Sequence, residues 1–177
     1  MKTAVFLDRD GVINKARIVE GKPQSAKSLA ELVVLPGVKE SITDLHTMGL
    51  EVIVVTNQPD VARERLTKEK VYEIESQLKE LLRIKYFYTC FHDDVDDCMC
   101  RKPRAGLLLT AAQDLDVNLL NSYLVGDRWK DIEAGQSVGC RCFFIDNAYS
   151  EKKPNQPFTA VTSLKDAVKV IRRAQNG

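Results

Sequence analysis

The chain has 177 residues, of which 44% are apolar and 29% charged, with 26 Lys and Arg against 25 Asp and Glu for a formal charge of +1. That is the length of one ordinary domain, read here as a single unit over 1–177, and its apolar fraction suffices for a core. The balanced charge excludes intrinsic disorder and provides no overall field for gripping a polyanion; with no local basic stripe, nucleic acid is not expected as a partner.

Residues 3–8 (TAVFLD) read as a buried strand ending in an acid. An acid after so few apolar residues rules out a secretory h-region, which needs ~7–15 of them. Residues 37–48 read as a helix with Val38, Ile42, Leu45 and Met48 on one stripe and Gly49 as its stop. Residues 51–56 (EVIVVT) form a strand too apolar throughout to keep a wet face. Residues 67–82 carry Val71, Ile74, Leu78 and Leu81 at helical spacing, with Thr67 as the cap. An aromatic-rich strand at 85–90, a helix at 105–115, a strand at 122–127 (SYLVGD), a short helix at 130–138 and a strand at 140–146 follow. A closing helix at 163–174 turns Leu164, Ala167, Val168 and Ile171 inward, and the stretches 14–34, 91–104 and 148–162 read as irregular. No apolar run approaches the ~20 residues that span a bilayer, so no membrane partner is expected.

Strands alternating with helices specify an α/β fold, a Rossmann-like doubly wound parallel sheet covered on both faces. Ligands of such sheets bind at the carboxyl ends of the strands. Polar residues collect at those ends: Asp8-Arg9-Asp10, Thr56-Asn57-Gln58 and Gly126-Asp127-Arg128, joined by Arg101-Lys102. Asp8 and Asp10, at i and i+2 in extended chain, share one side, and Gly11 lets the backbone turn sharply after them. Two carboxylates this close call for a cation or a proton between them. Mg²⁺ suits one or two carboxylates, waters and phosphate oxygens, and Asp127 is the natural third oxygen donor.

Phe6-Leu7-Asp8-Arg9-Asp10-Gly11-Val12-Ile13-Asn14 resembles the first motif of the haloacid dehalogenase superfamily of phosphatases. Thr56-Asn57-Gln58 resembles its second motif, Lys102 in Cys100-Arg101-Lys102-Pro103 its third, and Gly126-Asp127-Arg128 with Asp131 its fourth. Within that superfamily the likeness is to the heptose-bisphosphate phosphatase and histidinol-phosphatase group, which lacks a large cap domain. The resemblance implies that Asp8 attacks phosphorus to form an aspartyl-phosphate, while Asp10 protonates the leaving oxygen and then activates water. Asp10 is therefore expected to have its pKa raised when it acts as the acid, and Asp8, against Mg²⁺, to stay ionised. Asp8, the Asp10 backbone carbonyl and Asp127 would hold Mg²⁺; Thr56 and Lys102 would hold the phosphoryl oxygens. Asn57, Gln58, Arg101 and Arg128 would meet the substrate, and Asp131 would orient Lys102 or a metal-bound water.

The five cysteines are odd in number and clustered, which fits metal or core use in a reducing, cytoplasmic compartment. Cys90, His92, Cys98 and Cys100 form a Cys₃His set, typical of closed tetrahedral zinc sites. With four protein ligands the zinc is expected to be structural and to fix the loop that delivers Arg101 and Lys102. The resembled group carries the same ligand pattern, usually with a longer intervening loop. Asp93, Asp94, Asp96 and Asp97 read as a solvated tip, and Cys140 and Cys142 as core.

The expected partner is a small phosphorylated metabolite, a sugar bisphosphate in the leading reading, acted on by a monomer. Residues 16–23 and Pro59-Asp60 depart from the His-Gly-Tyr-like segment and the Ser-Gly common in the resembled group. Histidinol phosphate, another sugar phosphate, and a non-catalytic zinc-stabilised scaffold therefore stay open as alternatives.

Overall fold

A computed structural model of the chain describes residues 1–175. In chain order its elements are β1 (Ala4–Leu7), β2 (Arg17–Val19), β3 (Lys22–Gln24), α1 (Val38–Thr47), β4 (Glu51–Asn57), α2 (Lys68–Leu82), β5 (Tyr86–Cys90), α3 (Gly106–Leu115), β6 (Tyr123–Gly126), α4 (Trp129–Ser137), β7 (Arg141–Ile145), β8 (Thr159–Val161) and α5 (Leu164–Gln175). Six strands form one parallel sheet in the order β5-β4-β1-β6-β7-β8. The chain runs outward from β1 through β4 to β5, then returns to the far side of β1 at β6. That reversal is the switch point at which open α/β sheets bind ligands.

The strand side chains alternate between two separate cores. Val5, Leu7, Val52 and Val54 pack under α1, α2 and α5, through Ile42, Leu45, Ile74, Leu78, Val168 and Ile171 among others. Ala4, Phe6, Ile53 and Val55 point the other way, onto Leu107, Leu108 and Ala111 of α3 and Ile132 and Ala134 of α4. Cys140 and Cys142 belong to this second core, as expected. β1 lies between the two layers with all four side chains buried, which is why its sequence shows no polar alternation. Each fully buried Val, Leu, Ile or Phe contributes roughly 1.5–3 kcal/mol, so the two cores fix the sheet that carries the site.

Helix ends follow local chemistry. Thr67 caps α2 by accepting the Lys70 amide at 3.4 Å. The buried stripe of α2 ends on Leu82, while Leu81, expected to face inward, is 42% exposed. Two short pieces lie in stretches that read as irregular. β2 and β3 pair antiparallel around Glu20-Gly21, both at positive φ (50° and 72°), the backbone of a tight hairpin turn. β8 adds a three-residue edge strand beside β7. Among the described residues no helix is long and apolar enough to cross a membrane.

Candidate active site

Three carboxylates and one lysine meet at the carboxyl ends of β1 and β6. Oxygens of Asp8, Asp127 and Asp131 lie within 4.8 Å of one another, and all three residues are buried. Lys102, 2% exposed, donates from Nζ to Asp8 Oδ1 at 2.9 Å and to the Val55 carbonyl at 2.7 Å, and stands 2.7 Å from Asp131 Oδ1. Burial works against the Lys102 ammonium, but Asp131 and Asp8 outweigh it and hold its pKa above the usual lysine value. Burial, with the Asp131 charge second, pushes Asp8 up to about 6. Burial and then the charges of Asp8 and Asp131 push Asp127 well above the carboxylate range.

The cluster is therefore short of positive charge by two units when all three acids are ionised, which is the charge of a divalent cation. Asp127 Oδ1 is buried with no hydrogen-bond partner. Its other oxygen, Oδ2, accepts from Tyr149 Oη at 2.5 Å and from Asn147 Nδ2 at 3.1 Å. A hard, oxygen-only donor set with one orphaned lone-pair site and two missing charges fits Mg²⁺. Asp131 is already engaged at both oxygens, by Lys102 and by the Arg128 amide at the start of α4 (2.9 Å), so it orients the lysine.

Gly11 makes this packing possible. Its φ is +91°, and a Cβ there would fall 1.8 Å from Asp127 Oδ2 and 2.7 Å from Tyr149 Oη. Gly11→Ala is expected to destabilise the fold by ~3 kcal/mol, a fall in Tm on the order of 10 °C in thermal unfolding. A Tm within about 2 °C of the parent would show that the turn relaxes freely.

Asp10 is held as an anion before any substrate binds. Arg9, wholly buried, grips it from Nε and Nη2 at 3.1 and 3.3 Å, and Asn14, Ser25 and Gln58 donate to it at 3.0, 2.9 and 2.9 Å. Burial alone would raise its pKa; Arg9 and the three neutral donors outweigh burial and lower it. In the ligand-free protein Asp10 is thus a carboxylate and not a poised acid.

The second motif divides its labour. Asn57 spends its amide on the Lys102 backbone, donating to the carbonyl at 3.0 Å and accepting the N–H at 3.1 Å, which holds Lys102 across 45 residues of chain. Gln58 is fully buried behind Thr56 and Asp10, donating to both at 2.9 Å, so it does not reach the cleft as a substrate ligand. Its expected contact with substrate is corrected to support of Asp10 and Thr56. Ser25, Asn147 and Tyr149, which sequence reasoning missed, come from stretches with no periodic signal.

These groups open into a cleft of about 560 Å³. Arg101 and Arg128 line it, together with Lys22, Arg63, Arg65 and Lys130. Arg128 is forked onto Glu151 at 2.5 Å, and Arg101 donates to Asp94 at 2.7 Å and to the His92 carbonyl at 3.2 Å. Asp94, Asp96 and Asp97 are exposed, as expected of a solvated tip, and the tip is also tied down by ion pairs: Asp93 with Arg63, Asp94 with Arg101 and Lys130, Asp97 with Arg104. Asp96 bonds the Asp93 amide at 2.7 Å, closing the turn.

Beside the cleft, Cys90, His92, Cys98 and Cys100 converge. Five Sγ–Sγ and Sγ–Nδ1 separations among them measure 3.2–3.7 Å. Tetrahedral zinc, with Zn–S of about 2.3 Å and Zn–N of about 2.0 Å, has ligand edges of roughly 3.5–3.8 Å. The four ligand atoms therefore already outline a tetrahedron that fits zinc, with no position left for substrate.

An HAD-hydrolase-like family model matches residues 99–167. The D-glycero-beta-D-manno-heptose-1,7-bisphosphate 7-phosphatase of Neisseria meningitidis is 31% identical over 140 residues, covering 76% of this chain and 72% of that protein. The D-glycero-alpha-D-manno-heptose-1,7-bisphosphate 7-phosphatase of Photorhabdus laumondii is 33% identical over 165 residues, covering 85% and 86%. Among solved structures, the D,D-heptose 1,7-bisphosphate phosphatase of B. bronchiseptica, complexed with magnesium and phosphate, superposes with a TM-score of 0.85 at 25% identity, over 98% of this chain and 99% of that one. The chain belongs to the haloacid dehalogenase-like hydrolases, in the family of the heptose-bisphosphate phosphatases, and is a phosphatase.

Proposed function

We propose that the protein hydrolyses the 7-phosphate of D-glycero-D-manno-heptose 1,7-bisphosphate through an aspartyl-phosphate on Asp8. The observation that carries the mechanism is the buried set Asp8, Asp127, Asp131 and Lys102, in which a carboxylate at the end of β1 faces a cleft beside the family's third- and fourth-motif residues. The substrate comes from the relatives, which include both anomer-specific enzymes.

An oxygen of Asp8 attacks phosphorus in line, and the bond from phosphorus to the sugar oxygen breaks. Lys102 and Thr56 neutralise charge growing on the phosphoryl oxygens, which suits a reaction whose catalysis is mostly electrostatic. Asp10 delivers a proton to the departing sugar oxygen. The incoming phosphate dianion raises the Asp10 pKa by like-charge repulsion, offsetting the hold of Arg9 and the three neutral donors. In the second half, Asp10 takes a proton from water as that water attacks phosphorus, and Asp8 leaves as a carboxylate with inorganic phosphate. Mg²⁺, held by Asp8, the Asp10 carbonyl and Asp127, would supply charge neutralisation for nucleophile and phosphate. Arg101 and Arg128 face the rest of the sugar. The Cys₃His loop would hold zinc for structure alone.

The test is phosphate release with Mg²⁺ from the β and α anomers of the heptose bisphosphate, histidinol phosphate, simple sugar phosphates and a 3′-phosphorylated oligonucleotide. One heptose anomer is expected to exceed every other substrate in kcat/KM by at least about tenfold. Preference for histidinol phosphate would replace the heptose while keeping the chemistry.

A further inference from the structure

The cleft mouth holds cations that the phosphoryl site does not use, and Arg63, Arg101 and Lys130 among them are already answered by carboxylates. Asp94 Oδ1 accepts from Arg101 Nε at 2.7 Å and from Lys130 Nζ at 2.9 Å. Next to it, Asp93 takes the Arg63 guanidinium as a fork, with both bonds at 2.6 Å. An arginine and a lysine converging on one oxygen, at the rim of a phosphatase cleft, bond that oxygen as they would a phosphate oxygen.

The exposures of the three partners are unequal. Arg101 is buried at 8% and tied to the His92 carbonyl, and the Lys130 side chain is 14% exposed, whereas the Asp94 side chain is 62% exposed. The fork is therefore fixed while its anion is free to turn into water. Only the Asp94 side of the pair is open to water, so an incoming dianion competes with it there for the two cations.

We propose that Asp94 is a specificity-determining residue, an internal anion that occupies the Arg101–Lys130 fork and must be displaced by a second, remote phosphate of the substrate. It thereby lowers the advantage of a bisphosphate over a monophosphate. Discrimination is a difference of affinities, and a competing charge built into the site tunes it without touching the reacting phosphate. The proposal rests on the reading of the substrate as a sugar bisphosphate.

The test measures binding without turnover, by calorimetry on Asp8→Asn protein with Mg²⁺. Ligand pairs are heptose 7-phosphate with heptose 1,7-bisphosphate, and fructose 6-phosphate with fructose 1,6-bisphosphate. The fructose pair keeps the result independent of whether the heptose is the substrate. Adding Asp94→Asn is expected to widen the bisphosphate-to-monophosphate affinity ratio about fivefold, because the fork gains a free charge. Lys130→Met, in place of Asp94→Asn, is expected to narrow it by a similar factor. An unchanged or narrowed ratio in Asp94→Asn protein that retains its metal overturns the proposal, since Asp94 would then only orient Arg101. Should Asp94→Asn lose the metal, Lys130→Met decides alone, and no narrowing there overturns it. No difference between mono- and bisphosphate in any protein also overturns it.

Discussion

Asp8→Asn is expected to reduce phosphate release by at least ~10⁴-fold while raising the Tm of the cation-free protein. The loss follows from removing the nucleophile, because without it the remaining groups only bind and polarise a phosphate monoester whose uncatalysed hydrolysis is among the slowest reactions known. Asp10→Asn, which removes an acid–base partner, is expected to reduce it by ~10²–10⁴-fold. The gain in stability has a separate cause. Asp8, Asp127 and Asp131 lie buried within 4.8 Å of one another against a single ammonium, and burial with the Asp131 charge drives the Asp8 pKa to about 6. A carboxyl whose folded pKa exceeds its unfolded value opposes folding once ionised, so its unfavourable contribution grows as pH rises from ~4 through ~6 and is complete at pH 7. An amide at position 8 removes that charge and can still accept from Lys102 through its oxygen. The Tm increment given by Mg²⁺ should shrink in the same variant, because one ligand and one charge are gone. Thermal unfolding at pH 7 with and without Mg²⁺, beside a phosphate-release assay, measures both. Activity above 1% of the parent, a threshold of roughly 2.7 kcal/mol in barrier height, would remove Asp8 from the nucleophile's place, and a fall in Tm would mean that the Asp8–Lys102 pair outweighs the repulsion.

Much of this site is legible in the sequence because strand ends are legible. A short apolar run such as AVFL, followed by Asp8 and then Gly11, reads as a strand buried on both faces, which puts the polar residues that follow it on the rim. Asp8, Thr56 and Asp127 come together for that reason, and the loop after β5 brings Lys102 to them. What escapes is the set of long-range partners. Glu151 lies 23 residues from the Arg128 it binds, and Ser25 lies 15 from Asp10. Both belong to segments whose conformation is set by packing and not by periodicity. The β2–β3 hairpin was hidden because Glu20 is not a residue that favours positive φ, and Pro23 argues against a strand. Gln58 escapes because motif order does not reveal depth: three consecutive polar residues look equally available, and only its full burial and its bonds to Asp10 and Thr56 show that Gln58 lies behind the cleft wall. The hold on Asp10 in the ligand-free protein escapes for the same reason, since its donors arrive from four different places in the chain.

If the Cys₃His loop holds zinc as proposed, Cys100→Ser is expected to abolish its binding, lower the Tm by on the order of 10 °C and cut phosphatase activity at least ~100-fold, although no cysteine lines the cleft. Lys102 follows Cys100 by two residues and has no helix or strand of its own to hold it. It is fixed from one side by the paired bonds to Asn57 and from the other by the loop whose Cys90, His92, Cys98 and Cys100 atoms converge. Arg101 is fixed in the same way, through the His92 carbonyl and Asp94. Zinc binding worth ~10–16 kcal/mol in favourable cases easily exceeds the entropy of ordering so short a loop. Without it, Lys102 would be free to leave Asp8 and Asp131, and the acidic cluster would lose its one internal counter-charge. The loss should therefore appear in kcat and survive added Mg²⁺, because a divalent cation replaces missing charge but does not rebuild the loop. Cobalt exchanged for zinc in the parent distinguishes a structural from a catalytic metal. With all four positions filled by protein, activity should stay within about threefold, and the intense visible bands of a tetrahedral thiolate site should not move when phosphate is added. A band shift with phosphate would reveal an open coordination position and make the metal part of the reaction, and full activity in metal-stripped protein would mean that Asn57 alone holds Lys102 in place.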